Sequence, residues 1–392
     1  MPTPTTQLYP EVTDQSVLGQ RLGQNVFLPI GIEGQADSGG AATTGILYQI
    51  NRRDEAVTQF GTAALSELTR QIHAILDAGA GPVIAGASAK GTTPTLVQRQ
   101  VIWALMESDE FIRLRLTDST VQSDLVALAT SMNNADLLNN KQLALMGMAS
   151  GTTKAALLTA ATAIAGATGT GPKRAALIAP GVYDSAGTLR SGSYAAACVA
   201  AEMAKHSDPS TDLDLGVVPN LTGIEKGADG LGLFRRKVVT GAAVNDFEDL
   251  LQGGVSPLMP TSVPFGTPTA QSGVQISHLR TVYITDTTFD ALMTRIIVDQ
   301  VFLDVKNYVV GGGFLQAGNT LETRTRIASG VTALLNERRS WITPILQGDG
   351  TLGYNVAVTS SPDNRQITIS YQGTVVRGIS TVQVAANLTI PA

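Results

Sequence analysis

The sequence predicts an α/β domain built on a mostly parallel sheet, followed by a smaller α+β domain, with extended arms at both ends. Three observations carry this. Short apolar runs at PVIAGA, LALMGM (143–148) and AALIAP (175–180) alternate with helical patterns at 94–107, 152–165 and 192–204, as buried parallel strands joined by helices do. The stretch 252–275, rich in Gly, Pro, Ser and Thr, interrupts the alternation and marks a domain junction. Beyond it, two long helical patterns precede three strand-like runs, the last with a strict period of two.

Taken in order, the first residues contain Pro2, Pro4 and Pro10 among Thr and Gln, a composition for an extended arm over 1–25. VFLPIGI from Val26 and ILYQI at 46–50 read as strands. Leu65, Leu68, Ile72, Ile75 and Leu76 form one apolar helical stripe that stops at Gly79. GASAKGTT, Gly86 to Thr93, has the glycine spacing of a phosphate-binding loop, but Thr92 stands where the lysine should follow Gly91 and Lys90 comes one place early; it reads instead as a strand-to-helix turn with a helix from near Pro94. GVVPNL at 216–221 adds a further strand.

In the last third, Phe289, Leu292, Met293, Ile296, Ile297, Val301 and Phe302 make one amphipathic helix, and a second runs from about Leu321 to Trp341. YNVAV, RQITISYQ and STVQVAANLTI follow as strands. In the terminal one, Val382, Val384, Ala386, Leu388 and Ile390 fall on one face and Thr381, Gln383, Asn387 and Thr389 on the other. Such a strand, standing alone, would leave an apolar face and backbone groups uncovered, so it calls for a partner.

Composition narrows the function. Charged residues make up 15% of 392, hydrophobic ones 43%, and the net charge is -5, which excludes a disordered polyelectrolyte and argues against direct nucleic-acid binding. Cys198 is the single cysteine, in a small-residue helical run, and reads as a buried structural thiol. The amino terminus has no basic and apolar signal pattern and no run spans a bilayer, predicting synthesis in the cytoplasm without membrane insertion.

The search for chemistry yields no catalytic set, metal site or cofactor. His73, His206 and His278 have no nucleophile elbow or HExxH spacing beside them and read as surface or strand-end residues. Asp208, Asp212 and Asp214 read as a solvated loop rather than a metal site. Arg324, Arg326, Arg338 and Arg339, interleaved with Glu322 and Glu337, are either a solvated face or a docking stripe for an acidic partner. An α/β hydrolase-like enzyme is the alternative from another class.

The order of these features resembles that of the tail sheath proteins of contractile-tailed phages and related tailocins, over nearly the whole chain. Tyr9, Pro10, Glu11 and Val12 match a Tyr-x-Pro-Gly-Val element of the arm, with Glu11 in place of its glycine. VFLPIGIEGQADSG, then Phe60 and Gly61, the helix to Asp77, Gly79 to Gly81 and VIAGA follow in the family's order. Leu250, Leu251, Gly254 and Val255 precede Arg280 and Thr281, and the Gly-rich GGGFLQAGN separates the two long helices.

The resemblance implies a non-enzymatic subunit with an outer α/β domain over about 26–270, an inner α+β domain over about 271–378, and exchange arms at 1–25 and 379–392. It implies that Leu8, Tyr9, Pro10 and Val12 in one arm, and Thr381, Val382, Gln383, Val384, Ala386, Leu388 and Ile390 in the other, complete sheets in neighbouring copies. Its partners would be other copies in a six-fold helical polymer, a tail tube protein, a baseplate and a tail terminator. The four arginines become candidates to face the tube. The expected place is a virion tail assembled in the host cytoplasm, contracting to deliver a genome; a tailocin or secretion-machine sheath is the near alternative.

Overall fold

The computed structural model describes residues 28–166, 174–206, 213, 216–228, 232–234, 246–261, 273–284, 291–314, 317–348, 350–361, 366–377 and 380–391. The chain opens with β1 (Ile30–Ala36) and β2 (Leu47–Ile50), then α1 (Arg53–Phe60) and α2 (Glu67–Asp77). Next come β3 (Val83–Lys90), α3 (Leu96–Glu107), β4 (Leu114–Thr117), α4 (Gln122–Leu137), β5 (Leu143–Gly147), α5 (Lys154–Ala165) and β6 (Ala175–Ala179). A small three-stranded sheet of β7 (Val182–Asp184), β8 (Leu189–Arg190) and β10 (Leu221–Ile224) lies around α6 (Gly192–Lys205) and β9 (Val217–Val218) in sequence. The segment α7 (Asp246–Gln252), β11 (Val255–Pro260) and β12 (Val274–Ile276) completes a nine-stranded sheet of order β2-β3-β1-β4-β5-β6-β11-β12-β9.

The strands from β3 to β11 in that order run parallel, as the alternation of short apolar runs predicts. Their side chains divide between two faces, as a period of two requires. On β6, Ala176 and Ile178 enter one core with residues of α2 and α6, while Ala175, Leu177 and Ala179 enter the other with residues of α4, α5 and α7. Small residues allow close layers: a Cβ on Gly147 of β5 would overlap the Gly192 carbonyl at the start of α6.

The C-terminal body starts within α8 (Leu292–Gly311) and contains α9 (Leu321–Glu337), β13 (Ile342–Thr343), β14 (Ile345–Leu346), β15 (Leu352–Gly353), β16 (Ala357–Ser360), β17 (Gln366–Arg377) and β18 (Ser380–Pro391). Strand β17 is its axis, with β16 and β13 on one side and β18 on the other. Gly330 of α9 leaves room for the Tyr308 side chain of α8, whose hydroxyl end a Cβ there would overlap.

Several expectations change. The boundary expected at 270 lies inside the α/β body: β12 belongs to the large sheet, and Leu279, Val282, Leu292, Met293 and Ile296 sit in its two cores. Strand β4 and helix α4 add a unit between 107 and 143 that the apolar runs did not announce. Gly86 and Lys90 lie within β3, so the chain turns only at Gly91, whose φ of +64° suits glycine. Leu65 precedes α2 and is exposed, whereas Leu68, Ile72 and Ile75 are buried as expected. Arg280, after β12, forms an isolated bridge with Ala291.

Candidate functional site

The terminal strand was expected to lack a partner in its own chain. Instead β18 pairs antiparallel with β17 along twelve residues, from Gln366 with Pro391 to Arg377 with Ser380. The register sets Val382, Val384, Ala386, Leu388 and Ile390 opposite Val375, Gly373, Tyr371, Ile369 and Ile367, the buried row of β17, and Thr381 and Gln383 opposite Val376 and Thr374. Only two residues, Gly378 and Ile379, separate the strands, which favours a local hairpin because it closes at little entropic cost. Among the described residues, β17 is the only strand bonded to β18, so the ribbon keeps a long free edge. Leu8, Tyr9, Pro10 and Val12 lie outside the described residues.

The four arginines do not share one stripe. Arg324 and Arg326 are two positions apart on α9, about 200° around its axis. Half-buried Arg324 donates to Asn319 Oδ1 at 3.0 Å. Arg338 donates to Asp304 Oδ2 at 2.8 Å and lies 4.8 Å from the Trp341 ring centroid. Arg326 and Arg339 are exposed, the former 5.9 Å from the Phe314 ring centroid and the latter donating to Asn336 at 3.1 Å.

The large sheet carries two charge clusters that the sequence reading missed. Glu33 on β1 is fully buried, with Arg99 Nη1 of α3 2.7 Å from its Oε1 and the Thr117 hydroxyl donating to its Oε2 at 2.8 Å; Ser88 Oγ also donates to it. The same Arg99 nitrogen reaches Asp118 Oδ1 at 2.7 Å, and its Nε lies 3.1 Å from Asp124 Oδ2. Three carboxylates thus share one guanidinium. Burial, reinforced by Asp118 and opposed by Arg99, pushes the Glu33 carboxyl up to about 7. This cluster stands at the carboxyl end of β4, where the strand order reverses about β1, the place where open α/β sheets bind ligands. Here the crevice is filled by Arg99. Beside it, Arg115 of β4 is wholly buried and donates to Ser131 Oγ, Gln142 Oε1 and the Trp103 carbonyl; burial brings it down to about 9.

The second cluster joins the bodies. Arg174, just before β6, forms a two-pronged pair with Asp299 of α8 and lies 2.9 Å from Asp136 of α4. Arg295 Nε lies 3.3 Å from Asp299, and Lys141 pairs with Asp136 while resting 4.4 Å from the Phe302 ring centroid. Charges at apolar runs, Glu33 alone in PIGIEGQA and Arg174 after Lys173 at the start of AALIAP, were the available signal.

The remaining candidates sit apart. His73 is buried rather than superficial, its ring between the Arg53 guanidinium and carbonyl, and burial lowers its pKa. It borders a cavity of about 470 Å³ whose arginines are all engaged: Arg53 with Asp77, Arg70 with Glu67, Arg190 with Asp184. His206 caps α6 beside Glu202, and His278 follows β12. Cys198 is buried in α6, which pushes its thiol up to about 12. Asp208, Asp212 and Asp214 lie outside the described residues, among which no group of three potential metal ligands occurs. No helix of the described residues is long and apolar enough to cross a membrane.

A mixed α/β fold built on a large, mostly parallel sheet is shared with the sheath proteins of contractile tails. The sheath tail protein from Desulfitobacterium hafniense superposes with a TM-score of 0.65 at 11% identity, over 93% of this chain and 97% of that one. A sheath tail protein from Listeria innocua gives 0.64 at 12%, over 95% and 97%. The helical sheath of the anti-feeding prophage in its contracted state gives 0.62 at 12%, over 90% of each chain. No family model matches the sequence, and no curated protein matches it in sequence.

Proposed function

We propose that this chain is the structural subunit of a contractile tail sheath. Copies polymerise helically, six to a ring, around a tail tube between baseplate and terminator, and shortening of the polymer drives the tube through a host envelope for genome delivery. The observation that carries this is the likeness to sheath subunits along nearly the full length of both chains, C-terminal body included.

The ribbon supports a mechanism for linkage. A free strand edge accepts a neighbour's extended segment through main-chain hydrogen bonds, and the pairing that β18 makes with its own β17 is one that a second copy's strand can make in the same register. Residues 1–25 and 379–392 are the exchanged segments in this proposal, and Arg326 and Arg339, exposed on the C-terminal body, are the arginines left to meet the tube.

Negative-stain microscopy of the expressed chain tests the proposal. Hollow tubes or stacked rings are expected, and a chain lacking 379–392 should stay folded without forming them. Subunits that remain monodisperse at every concentration and salt would overturn it. A sheath of a phage-like injection particle is the second reading, supported by the anti-feeding prophage likeness; genes for a DNA-filled capsid beside this one would decide between them.

A further inference from the structure

The outer face of α3 carries Val97, Val101 and Leu105, four residues apart and therefore in one row, exposed by 70%, 50% and 39%. Ile46, exposed by 46%, precedes β2, and its neighbour Gly45 adjoins the row: a Cβ on Gly45 would stand 3.7 Å from Val101 Cγ1. The ionisable side chains of α3 are only Arg99, which points inward to Glu33 and Asp118, and half-buried Glu107, which accepts from Ser131. From Ser38 to Ile50 there is no Asp, Glu, Lys, Arg or His. The patch is thus apolar at its centre, and neither α3 nor the 38–50 segment adds an outward charge to it; half-buried Lys90, beside that segment, is held by the Gly40 carbonyl. It continues onto β2, the first strand of the large sheet, which bonds to β3 alone among the described residues. By contrast Leu137 and Leu138, another exposed apolar pair, have Asp136 and Lys141 beside them.

A contiguous exposed apolar surface marks a contact site, and the absence of charge says what it contacts. Nucleic acid, anionic lipid or an acidic protein would find no ionic partner here. Each copy carries a net charge of -5, so association between copies is least opposed where both surfaces are neutral and little is lost by desolvation. We infer that the Ile46–Val97–Val101–Leu105 patch is a contact between copies of this chain, buried on polymerisation and separate from the C-terminal ribbon. The inference rests on the sheath proposal.

Thiol labelling of Val101→Cys in the full chain tests it. Cys198 is the only native cysteine and is buried with a raised pKa, so a maleimide near neutral pH reports the new thiol alone. The free subunit should label rapidly and the polymer at least about tenfold more slowly. Equal rates in both, or shielding only when a different protein is added, would overturn the patch while leaving the sheath proposal standing. If no polymer forms, the sheath proposal fails by microscopy, and labelling across protein concentrations decides the patch: slowing with concentration supports a contact between copies, and a constant rate overturns it.

Discussion

Replacing Glu33 with Gln asks whether three carboxylates around one arginine hold an extra proton near neutral pH. Glu33 is raised from 4.5 to about 7 by burial and by Asp118. At about 1.4 kcal/mol per pH unit, that shift amounts to about 3 kcal/mol of stability. The sign follows from the direction. A carboxyl whose folded pKa lies above its unfolded value contributes fully below pH 4.5 and progressively loses that contribution as pH rises through about 7. The amide of the Glu33→Gln variant would keep an acceptor for Arg99 without the titration, while its NH2 group would donate to the Thr117 hydroxyl oxygen where the second carboxylate oxygen accepts in the parent. The parent should therefore lose about 3 kcal/mol relative to Glu33→Gln between pH 4.5 and somewhat above 7. Urea unfolding in a Trp341→Phe background, followed through buried Trp103 on α3, reads the region directly. A difference that stays flat over this window, or grows in the parent's favour as pH rises, would mean that Arg99 alone keeps Glu33 ionised, and the account of the cluster would fail.

Asp299→Asn removes the shared partner of Arg174 and Arg295, so it should cost about 3–5 kcal/mol and split the calorimetric unfolding into two transitions; a single unshifted transition would show that the cluster does not couple the bodies. One residue inserted between Ser380 and Val382 should reduce polymer yield by sedimentation far more than two, because the side-chain period of two is broken by one and restored by two; equal yields would rule out a register-locked strand. Arg326→Glu and Arg339→Glu should leave stability and sheath-only polymers intact while weakening low-salt assembly on tubes, and unchanged assembly refutes a tube contact. Arg338→Glu should instead lower the melting temperature, since Arg338 pairs with Asp304 and stacks on Trp341; an unchanged temperature would show that these contacts add nothing.

The parallel core was legible because β3, β5 and β6 are short apolar runs bounded by helical patterns, a signal set by burial on both faces. Strand β4 escaped because its LRLT holds Arg115, a charge the fold accommodates with Ser131, Gln142 and a helix carbonyl that no spacing rule connects to it. Helix α4 escaped because Asn, Asp, Ser and Thr interrupt its apolar stripe and form helices poorly on their own, so packing on the sheet decides its structure. The ion clusters were invisible as clusters, since Glu33 and Arg99, or Arg174 and Asp299, meet only through tertiary structure. The terminal ribbon was half legible: the period of two was plain, and the two-residue gap at Gly378 was the overlooked sign that the strand finds its first partner in its own chain.

Helix α8 contributes Leu292, Met293 and Ile296 to the core of the large sheet and Ile297 to Val309 to the core of the C-terminal body, with Asp299 anchored between them. Mechanically that makes it an axle rather than a hinge. A pull on the ribbon would pass along one hydrogen-bonded helix that is packed into both cores. In the proposed sheath, the spring would then reside in the strand linkages between copies, and each copy would move as a link of a chain does, changing its angle to its neighbours while keeping its own shape.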